Sequence, residues 1–465
     1  MQDEQERLSV NRNLTRQLAE FAAESSWEGL PRSAQEAARR LVMDAVGCAL
    51  LGQRVNDAVG FDETVRRVAG GGTTTVIGGE PASPAGACLL NGYLVTAATI
   101  CDVHLETQCH VCPEVLPPAF AIAEARHSSG AELLGAIAAG LELTVRVGQG
   151  LLPPIMRQRG WHAPGLIGPL GGAVAGARLL GLDAAGHVAA LGIAGSQAAG
   201  TFAQWGSLTV KFHQARGALS ALLAAELAAD GFTTAGDVLT SGDGGLFTTY
   251  SNGGDPAIAT EGLGSRYELE QISMRPWPVA AYLQCLAMAL DELLSTATSD
   301  TAPSSVHVDL SEKSYGLHGE MEGTSSFSAR LSARYVTAVA LTDRKLWFDQ
   351  FSDERVRDLE VTELARRVTV SADRHLDGGG ARVTVEWPDG SRVTREATEA
   401  RGEPTLPLGE EELKAKFVRC GEGRASAHEL ARIADRLWRL EDERDAGDVI
   451  KELQRLMSPR EMAND

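Results

Sequence analysis

A single lysine stands out in an arginine-rich chain and suggests acid–base or anion-binding chemistry. Lys211 is the only lysine before Lys313, and it shares a short segment with His213 and Arg216. A buried ammonium can lose its proton, whereas a guanidinium keeps its charge. Because a helix is predicted from Arg216 to Asp230, the three bases lie at its N-terminal end, where they could converge on one anion. An ordinary charge on a helix surface is the alternative.

A second segment concentrates sulfur, imidazole and carboxylate groups. It contains Asp102, His104 and His110, together with Cys109 and Cys112. Such a set could transfer protons or bind a metal ion. The zinc interpretation lacks a second CxxC or HxxxH pair, and isolated thiols are more often buried as small apolar groups. We therefore favour His110 as an acid or base, with Asp102 as its orienting partner.

A third candidate, His162, lies in the turn Gly160–Gly165 directly before a predicted glycine- and alanine-rich helix. The free amide donors and the partial positive charge of a helix N-terminus suit a carboxylate ligand. A histidine that only caps the turn is the alternative interpretation.

The elements that must position these side chains are mainly helical in the first half of the chain. Alanine- and leucine-rich segments with helical periodicity follow one another from Leu14 to about Phe247, and Thr73–Ile77 is the clearest strand signal. The predicted helices include Ala34–Leu51, Ala82–Thr99, Pro117–Ala125, Gly130–Gly148, Gly165–Leu180, Ala184–Ala199 and Arg216–Asp230. This part of the chain predicts an all-α domain.

The sequence pattern changes after about residue 271. Alternating apolar and polar residues predict strands, and Pro388-Asp389-Gly390 predicts the turn of a hairpin. The predicted strands are 304–310, 367–372, 380–387 and 391–397, and the predicted helices are 278–295, 333–342 and 353–366. The expected fold is mainly α, with a large all-helical domain of residues 1–270 and 408–465 and a smaller α+β lid domain of residues 271–407.

Composition and charge limit the classes of function. The 465 residues have 44% hydrophobic and 23% charged side chains, as is usual for a soluble globular protein. A net charge of −19 and a pI near 5.0 argue against nucleic acid or an anionic membrane as a partner. Seven irregularly spaced cysteines and a polar N-terminus, Met1 to Gln17, predict reduced thiols in the cytoplasm. The expected partner is therefore a small molecule.

The motifs and their order resemble the MmgE/PrpD family, whose members include 2-methylcitrate dehydratase, cis-aconitate decarboxylase and iminodisuccinate epimerase. The similar segments are Leu41–Leu50, Asn91–Tyr93 ahead of Asp102, Gly160–Gly171, Ala190–Gly200 and Ser328–Ala340. The resemblance extends roughly from residue 14 to residue 455.

This resemblance implies an active site that includes Asp102, His110 and His162, with Tyr335 contributed by the smaller domain. It also implies a homodimer with a helical domain and an α/β lid, and catalysis without a metal or cofactor. Together with Lys211, those four residues are the predicted catalytic groups. The predicted substrate-binding residues are His104, His213, Arg216, Arg275 and Trp277.

Three departures from the family pattern favour an unusual substrate. Ala97 and Ile100 stand where the family usually has a histidine and an aspartate. The usual lysine position is Val210, with Lys211 one place later, and no histidine follows the lid hinge Arg275–Pro278. The apolar Ile100 and Trp277 could make room for a less charged, bulkier molecule.

The predicted function is a cofactor-independent lyase, a dehydratase of a hydroxy carboxylic acid. Removal of a proton α to a carboxylate and loss of the β-hydroxyl require a base, cations and an acid. His110 and His162 would supply the base and the acid, Lys211 and Arg275 the cations, and Tyr335 a proton. An epimerase, isomerase or decarboxylase of a di- or tricarboxylate is the alternative on this scaffold. A non-catalytic binding protein and a metal-dependent hydratase are the alternatives of other classes.

Overall fold

The computed structural model describes residues 14–55, 57–58, 60–296 and 301–456. Within these residues the protein is mainly α-helical with two small sheets, which confirms the predicted fold class. None of the helices in this described part is long and apolar enough to cross a membrane. Most of the polar N-terminal segment Met1 to Gln17, and residues 457–465 of the predicted large domain, lie outside the described residues.

The first half of the chain forms a succession of helices. They are Leu14–Glu24, Arg32–Gly52, Phe61–Ala69, Pro84–Ala97, Cys112–Arg126, Gly130–Gly150, Pro153–Gln158, Ala163–Leu179, Ala184–Gly195, Thr209–Ala229, Leu246–Ser251 and Pro256–Thr260. A two-stranded antiparallel hairpin of Thr74–Val76 and Gly79–Ala82 interrupts them at the predicted strand. The last of the predicted helices begins earlier than expected, at Thr209 instead of Arg216.

Small residues allow close packing of the helices in the larger core. A Cβ at Gly171 would lie 1.9 Å from Thr144 Oγ1, and a Cβ at Gly172 would lie 2.3 Å from the carbonyl oxygen of Glu114. Such distances leave no room for a side chain, so both positions require glycine. The helices Gly130–Gly150 and Ala163–Leu179 can therefore approach almost backbone to backbone.

The second part of the chain combines helices with a four-stranded sheet. Its longer helices are Gln284–Thr296, Glu312–His318, Ala333–Asp343 and Leu359–Arg367. The strand order is Val368–Ala372, Ser305–Leu310, Ala381–Glu386 and Arg392–Ala397. The first pair is parallel and the other two pairs are antiparallel, so the predicted hairpin is confirmed.

One helix predicted in this part of the chain is interrupted in the structure. The segment 353–366 forms two helices, Asp353–Val356 and Leu359–Arg367. The side chain of Asp358 accepts hydrogen bonds from the amides of Glu360 and Val361 and caps the second helix. A capping side chain satisfies amide groups that have no partner inside the helix, and so it favours a new helix start there.

Two hydrophobic cores lie on either side of a junction. The larger core unites buried residues from 14–274 with Trp347, Phe348 and buried residues from 408–456, and the smaller core is built mainly from 279–400. Val210 packs into the smaller core, whereas Ala221, Ala224 and Ala228 of the same helix pack into the larger one. The N-terminal turn of Thr209–Ala229 therefore lies at the junction and brings Lys211 with it. The division into two domains at residues 271 and 408 stays a prediction.

A buried ion pair ties the C-terminal helices to the larger core. Lys416, on the helix Glu410–Cys420, contacts the carboxylate of Asp44 on the helix Arg32–Gly52. Its ammonium also donates to the carbonyl oxygen of Ile100 at 3.2 Å. Both side chains are buried, so each charge depends on the other for its compensation.

Replacing Lys416 by methionine should lower the free energy of unfolding by about 3–5 kcal/mol, because the Asp44 carboxylate would stay buried without a cation. Denaturant titration followed by circular dichroism measures the loss. The double variant Lys416→Met with Asp44→Asn should recover most of it, because the second change removes the unpaired charge. Equal losses in the single and double variants would contradict this account of the pair.

Candidate active site

A cleft between the two cores collects several of the predicted site residues. His110, His162, Lys211 and Arg275 all line it. The cleft contains about 870 Å³ of empty space, including the part open to solvent. Its wall takes residues from both parts of the chain, so a movement of the smaller part would open or close it.

Lys211 reaches the cleft from the first turn of Thr209–Ala229. Its ammonium donates to the carbonyl oxygen of Thr96 at 2.7 Å, to Thr96 Oγ1 at 3.3 Å and to Thr99 Oγ1 at 3.2 Å. These acceptors lie at the C-terminal end of the helix Pro84–Ala97, where the helix dipole favours a cation. Burial nevertheless lowers the pKa of Lys211 to about 7. The amine can therefore gain or lose a proton near neutral pH.

His110 is held in one tautomer by the backbone. Its Nδ1 lies 2.6 Å from the carbonyl oxygen of Asp102, which can only accept, so Nδ1 carries the hydrogen. The other ring nitrogen, Nε2, is then free to accept a proton. Burial, together with the positive charges of Arg275 and Lys211, lowers the pKa of His110 to about 3. The imidazole is therefore neutral at neutral pH.

Asp102 supports this arrangement from behind the cleft, and its carboxylate does not orient His110 as predicted. Its Oδ2 accepts hydrogen bonds from the amides of Val111 at 2.7 Å and Cys112 at 3.1 Å. It therefore anchors the N-terminus of the helix Cys112–Arg126, where a negative charge is favourable. Burial raises the pKa of Asp102 to about 6. The orienting contact to His110 comes from the backbone carbonyl of Asp102.

His162 and His213 form a pair of imidazoles. The two Nδ1 atoms are 3.1 Å apart, so one of them donates to the other. His162 is the residue that precedes the helix Ala163–Leu179, as predicted, and it lines the cleft. His213 is nearly buried behind it. Burial lowers the pKa of both rings, so both are neutral at neutral pH.

Arg275 uses its donors inside the protein. Its Nε donates to the carbonyl oxygen of Cys101 at 2.5 Å, its Nη1 to the carbonyl oxygen of Val279 at 3.2 Å, and its Nη2 to Cys101 Sγ at 3.3 Å. The guanidinium holds the segment that leads into Asp102, and its charge still acts on the cleft.

The predicted convergence of Lys211, His213 and Arg216 on one anion was wrong. Because the helix begins at Thr209, all three residues are helical, and each residue turns the side-chain direction by about 100°. Lys211 faces the cleft, and His213 faces His162. Arg216 faces neighbouring loops and donates to several backbone carbonyls, including those of Gly165 and Ala199 at 2.9 Å.

Three further predicted residues lie outside the cleft lining. Tyr335 is buried in the smaller core, where its hydroxyl donates to the carbonyl oxygen of Gln350 at 2.7 Å. His104 is buried with Nδ1 3.0 Å from Thr107 Oγ1, and burial lowers its pKa to about 4. Trp277 packs against the smaller core. We therefore do not assign these three side chains to the cleft wall, in contrast to the sequence-based prediction.

Several side chains of the cleft wall were not predicted from the sequence. They include Gln108, Arg157, Trp161, Phe202, Trp205, Gln214, Tyr282, His318 and Phe327. Gln214 follows Lys211 by three positions on one helix, and this spacing could have identified it. His318 and Phe202 belong to distant segments without any shared sequence signal.

His318 gives the smaller domain a titratable group in the cleft. Its Nδ1 lies 2.9 Å from the carbonyl oxygen of Leu331, so Nδ1 carries the hydrogen and Nε2 is free to accept. Burial lowers the pKa of His318 to about 4. No histidine directly follows the lid hinge Arg275–Pro278, and His318 lies about forty positions later along the chain.

The cysteines considered for a metal site have separate surroundings. Cys109 Sγ contacts the carbonyl oxygen of His110, and Cys112 Sγ contacts the carbonyl oxygen of Leu41. Burial raises the pKa of both thiols. In the described ranges, no three His, Cys, Asp or Glu side chains converge as metal ligands do.

Comparison with known proteins covers nearly the whole chain. Residues 16–259 match the MmgE/PrpD N-terminal domain, and residues 277–440 match the MmgE/PrpD C-terminal domain. A cis-aconitate decarboxylase of Aspergillus terreus is 29% identical over 435 residues, which cover 87% of this chain and 88% of the relative. A cis-aconitate decarboxylase-like protein of Aspergillus oryzae is 26% identical over 94% of this chain and 96% of its own length. The human cis-aconitate decarboxylase is 24% identical over 92% of this chain and 91% of its own length.

Replacing Asp102 by alanine should lower the free energy of unfolding by about 1–3 kcal/mol, because two buried amides lose their acceptor. Asparagine keeps one acceptor oxygen and should cost less. Denaturant titration measures both variants. The matched control is Asp183→Ala, which removes an exposed cap of the helix Ala184–Gly195 and should cost about 1 kcal/mol. An Asp102→Ala loss no larger than that of the control would contradict the anchoring role.

Proposed function

The chain belongs to the MmgE/PrpD family, and on that premise we propose that it is a lyase acting on a small organic acid. The observation that carries the proposal is the convergence of His110, His162 and Lys211 on one cleft. Burial gives this cleft neutral imidazoles beside a lysine that can exchange its proton near pH 7. Such a set can move protons at a carbon next to a carboxylate.

The proposed roles follow from the hydrogen bonds of each group. His110 Nε2 is the base, because Nδ1 is already committed to a backbone carbonyl. A bound carboxylate would raise the lowered pKa of His110 by partly neutralising the nearby cations. Lys211 stabilises the negative charge that develops on the substrate carboxylate, with support from the charge of Arg275. His162 supplies or accepts the second proton.

On the lid side we assign the proton transfer to His318 in place of Tyr335. His318 lines the cleft, whereas the hydroxyl of Tyr335 donates to a backbone carbonyl inside the smaller core. A general acid or base must come within hydrogen-bonding distance of the reacting atom, and only His318 of this pair lies on the cleft wall.

Dehydration and decarboxylation are the two candidate reactions. In dehydration, the base removes a proton α to a carboxylate and the β-hydroxyl leaves as water. In decarboxylation, a carbon–carbon bond breaks, CO₂ leaves, and a general acid protonates the carbon. The second candidate is favoured by the relatives of Aspergillus terreus and human origin that are named cis-aconitate decarboxylases. Both reactions need a cation beside the remaining carboxylate, as proposed for Lys211.

The homodimer and the cytoplasmic location stay predictions. The helix Thr209–Ala229 exposes Phe212, Leu223 and Leu227, which are spaced so that they share one helix face. An exposed apolar face of this kind is compatible with a second copy of the chain.

Incubation with cis-aconitate and with a set of hydroxy di- and tricarboxylates in D₂O, followed by NMR, tests the proposed function. We expect deuterium incorporation next to a carboxylate, together with either a new alkene signal or CO₂ release. Lys211→Met and His162→Ala should each lower turnover by at least about a hundredfold, since each removes a group of the proton-transfer set. The exposed His375→Ala variant is the control and should keep wild-type turnover. Exchange that survives in both site variants would refute the assigned roles.

The pH profile tests the charge of Lys211. Because its pKa is lowered to about 7, the free enzyme holds the cation below that pH and loses it above. We therefore expect kcat/KM to fall as the pH rises through about 7. Lys211→Arg cannot lose its charge, so the residual activity of that variant should not show this decline. A kcat/KM that instead rises through pH 7 would identify Lys211 as the base.

A further inference from the structure

Arg157 is a cation of the cleft wall that the proposed chemistry does not use. It lies in the short helix Pro153–Gln158, and its guanidinium carbon is 3.2 Å from the ring centroid of Phe202. Among the described residues it forms no ion pair and no hydrogen bond. The other arginine of the wall, Arg275, already donates from all three nitrogens. The donors of Arg157 are thus available to a ligand.

An aromatic stack continues from Arg157. The rings of Phe202 and Trp205 are 5.2 Å apart and nearly parallel, and both line the cleft. Trp205 Nε1 is buried and has no hydrogen-bond partner within the described part of the chain. Buried N–H groups normally have an acceptor. An unpartnered donor on the same stack as an unpaired cation indicates that an oxygen-bearing anion binds there.

The rest of the wall is mostly apolar. Its side chains include Val103, Pro153, Met156, Trp161, Leu317, Phe327 and Leu331. The three histidines of the wall have lowered pKa values and carry no charge at neutral pH. The wall therefore offers two places for a carboxylate, which are Arg157 and, across the cleft lining, Lys211 with the nearby charge of Arg275. Two such places match two carboxylates better than three.

We infer that the substrate is a dicarboxylic acid with an alkyl or aryl substituent. One carboxylate binds to Lys211 at the reacting end, and the other accepts hydrogen bonds from Arg157 and Trp205 Nε1. The substituent packs on Phe202 and the apolar wall. This assignment of substrate class rests on the proposed function, and it makes Arg157 a specificity-determining residue.

Calorimetric titration with acids that cannot react tests the inference independently of turnover. The probes are succinate, butylsuccinate, phenylsuccinate and propane-1,2,3-tricarboxylate. Each buried methylene strengthens binding by up to about fourfold, so butylsuccinate should bind at least about tenfold more tightly than succinate. It should also bind more tightly than the tricarboxylate.

Variants of the stack separate charge from packing. Arg157→Met should lower the affinity for every dicarboxylate by at least about tenfold. Trp205→Phe should lower these affinities less and should leave the preference for butylsuccinate over succinate unchanged, because only the N–H is lost. The control is Arg159→Met on the same turn, since Arg159 is exposed and bonds to Asn252 outside the cleft. This variant should bind all probes as the wild type does.

The outcomes distinguish this inference from the proposed function. A tricarboxylate that binds as tightly as butylsuccinate, or an Arg157→Met variant with unchanged affinities, would overturn the substrate class and leave the lyase proposal intact. The expected binding pattern, without turnover of any hydroxy or unsaturated acid, would support the dicarboxylate site and count against the lyase.

Discussion

The burial of a few ionisable groups at the junction of two cores governs the electrostatics of the cleft and the packing around it. Lys211 is almost inaccessible to solvent, yet its ammonium has only neutral oxygens of Thr96 and Thr99 as direct partners. Removal from water therefore dominates its titration, as it does for the imidazoles of His110 and His162. In the proposed function, a substrate carboxylate would supply the missing counter-charge, so its binding would favour the charged form of Lys211.

Dense packing of small residues makes that burial possible. The glycines at 171 and 172 bring the helices around the site close together, and the Asp44–Lys416 pair holds the C-terminal helices on the larger core. The backbone then does much of the positioning. Carbonyl groups of Asp102 and Leu331 set the tautomers of His110 and His318, so the orientation of these two imidazoles depends on loop geometry more than on neighbouring side chains.

Periodicity and turn chemistry were enough to predict the mainly helical first half, the four strands and the hairpin at Pro388-Asp389-Gly390. They were less reliable at helix ends. The start of the helix Thr209–Ala229 was predicted too late. The first two turns of this helix contain the polar residues Lys211 and His213, and polar residues are also typical of loops. That error of two turns changed the site, since a helix directs these bases in different directions.

The family resemblance, the fold class and the reactive segments with Lys211, His110 and His162 could be predicted from the sequence, because local motifs and hydrophobic periodicity are properties of short stretches of chain. Which of these side chains share a cleft became visible in the folded protein alone. The tertiary structure removed Tyr335 and His104 from the wall and brought in Arg157, Trp205 and His318. The physical reason is that side-chain direction and burial arise from packing between distant segments, and that packing leaves no signal in the spacing of residues along one segment.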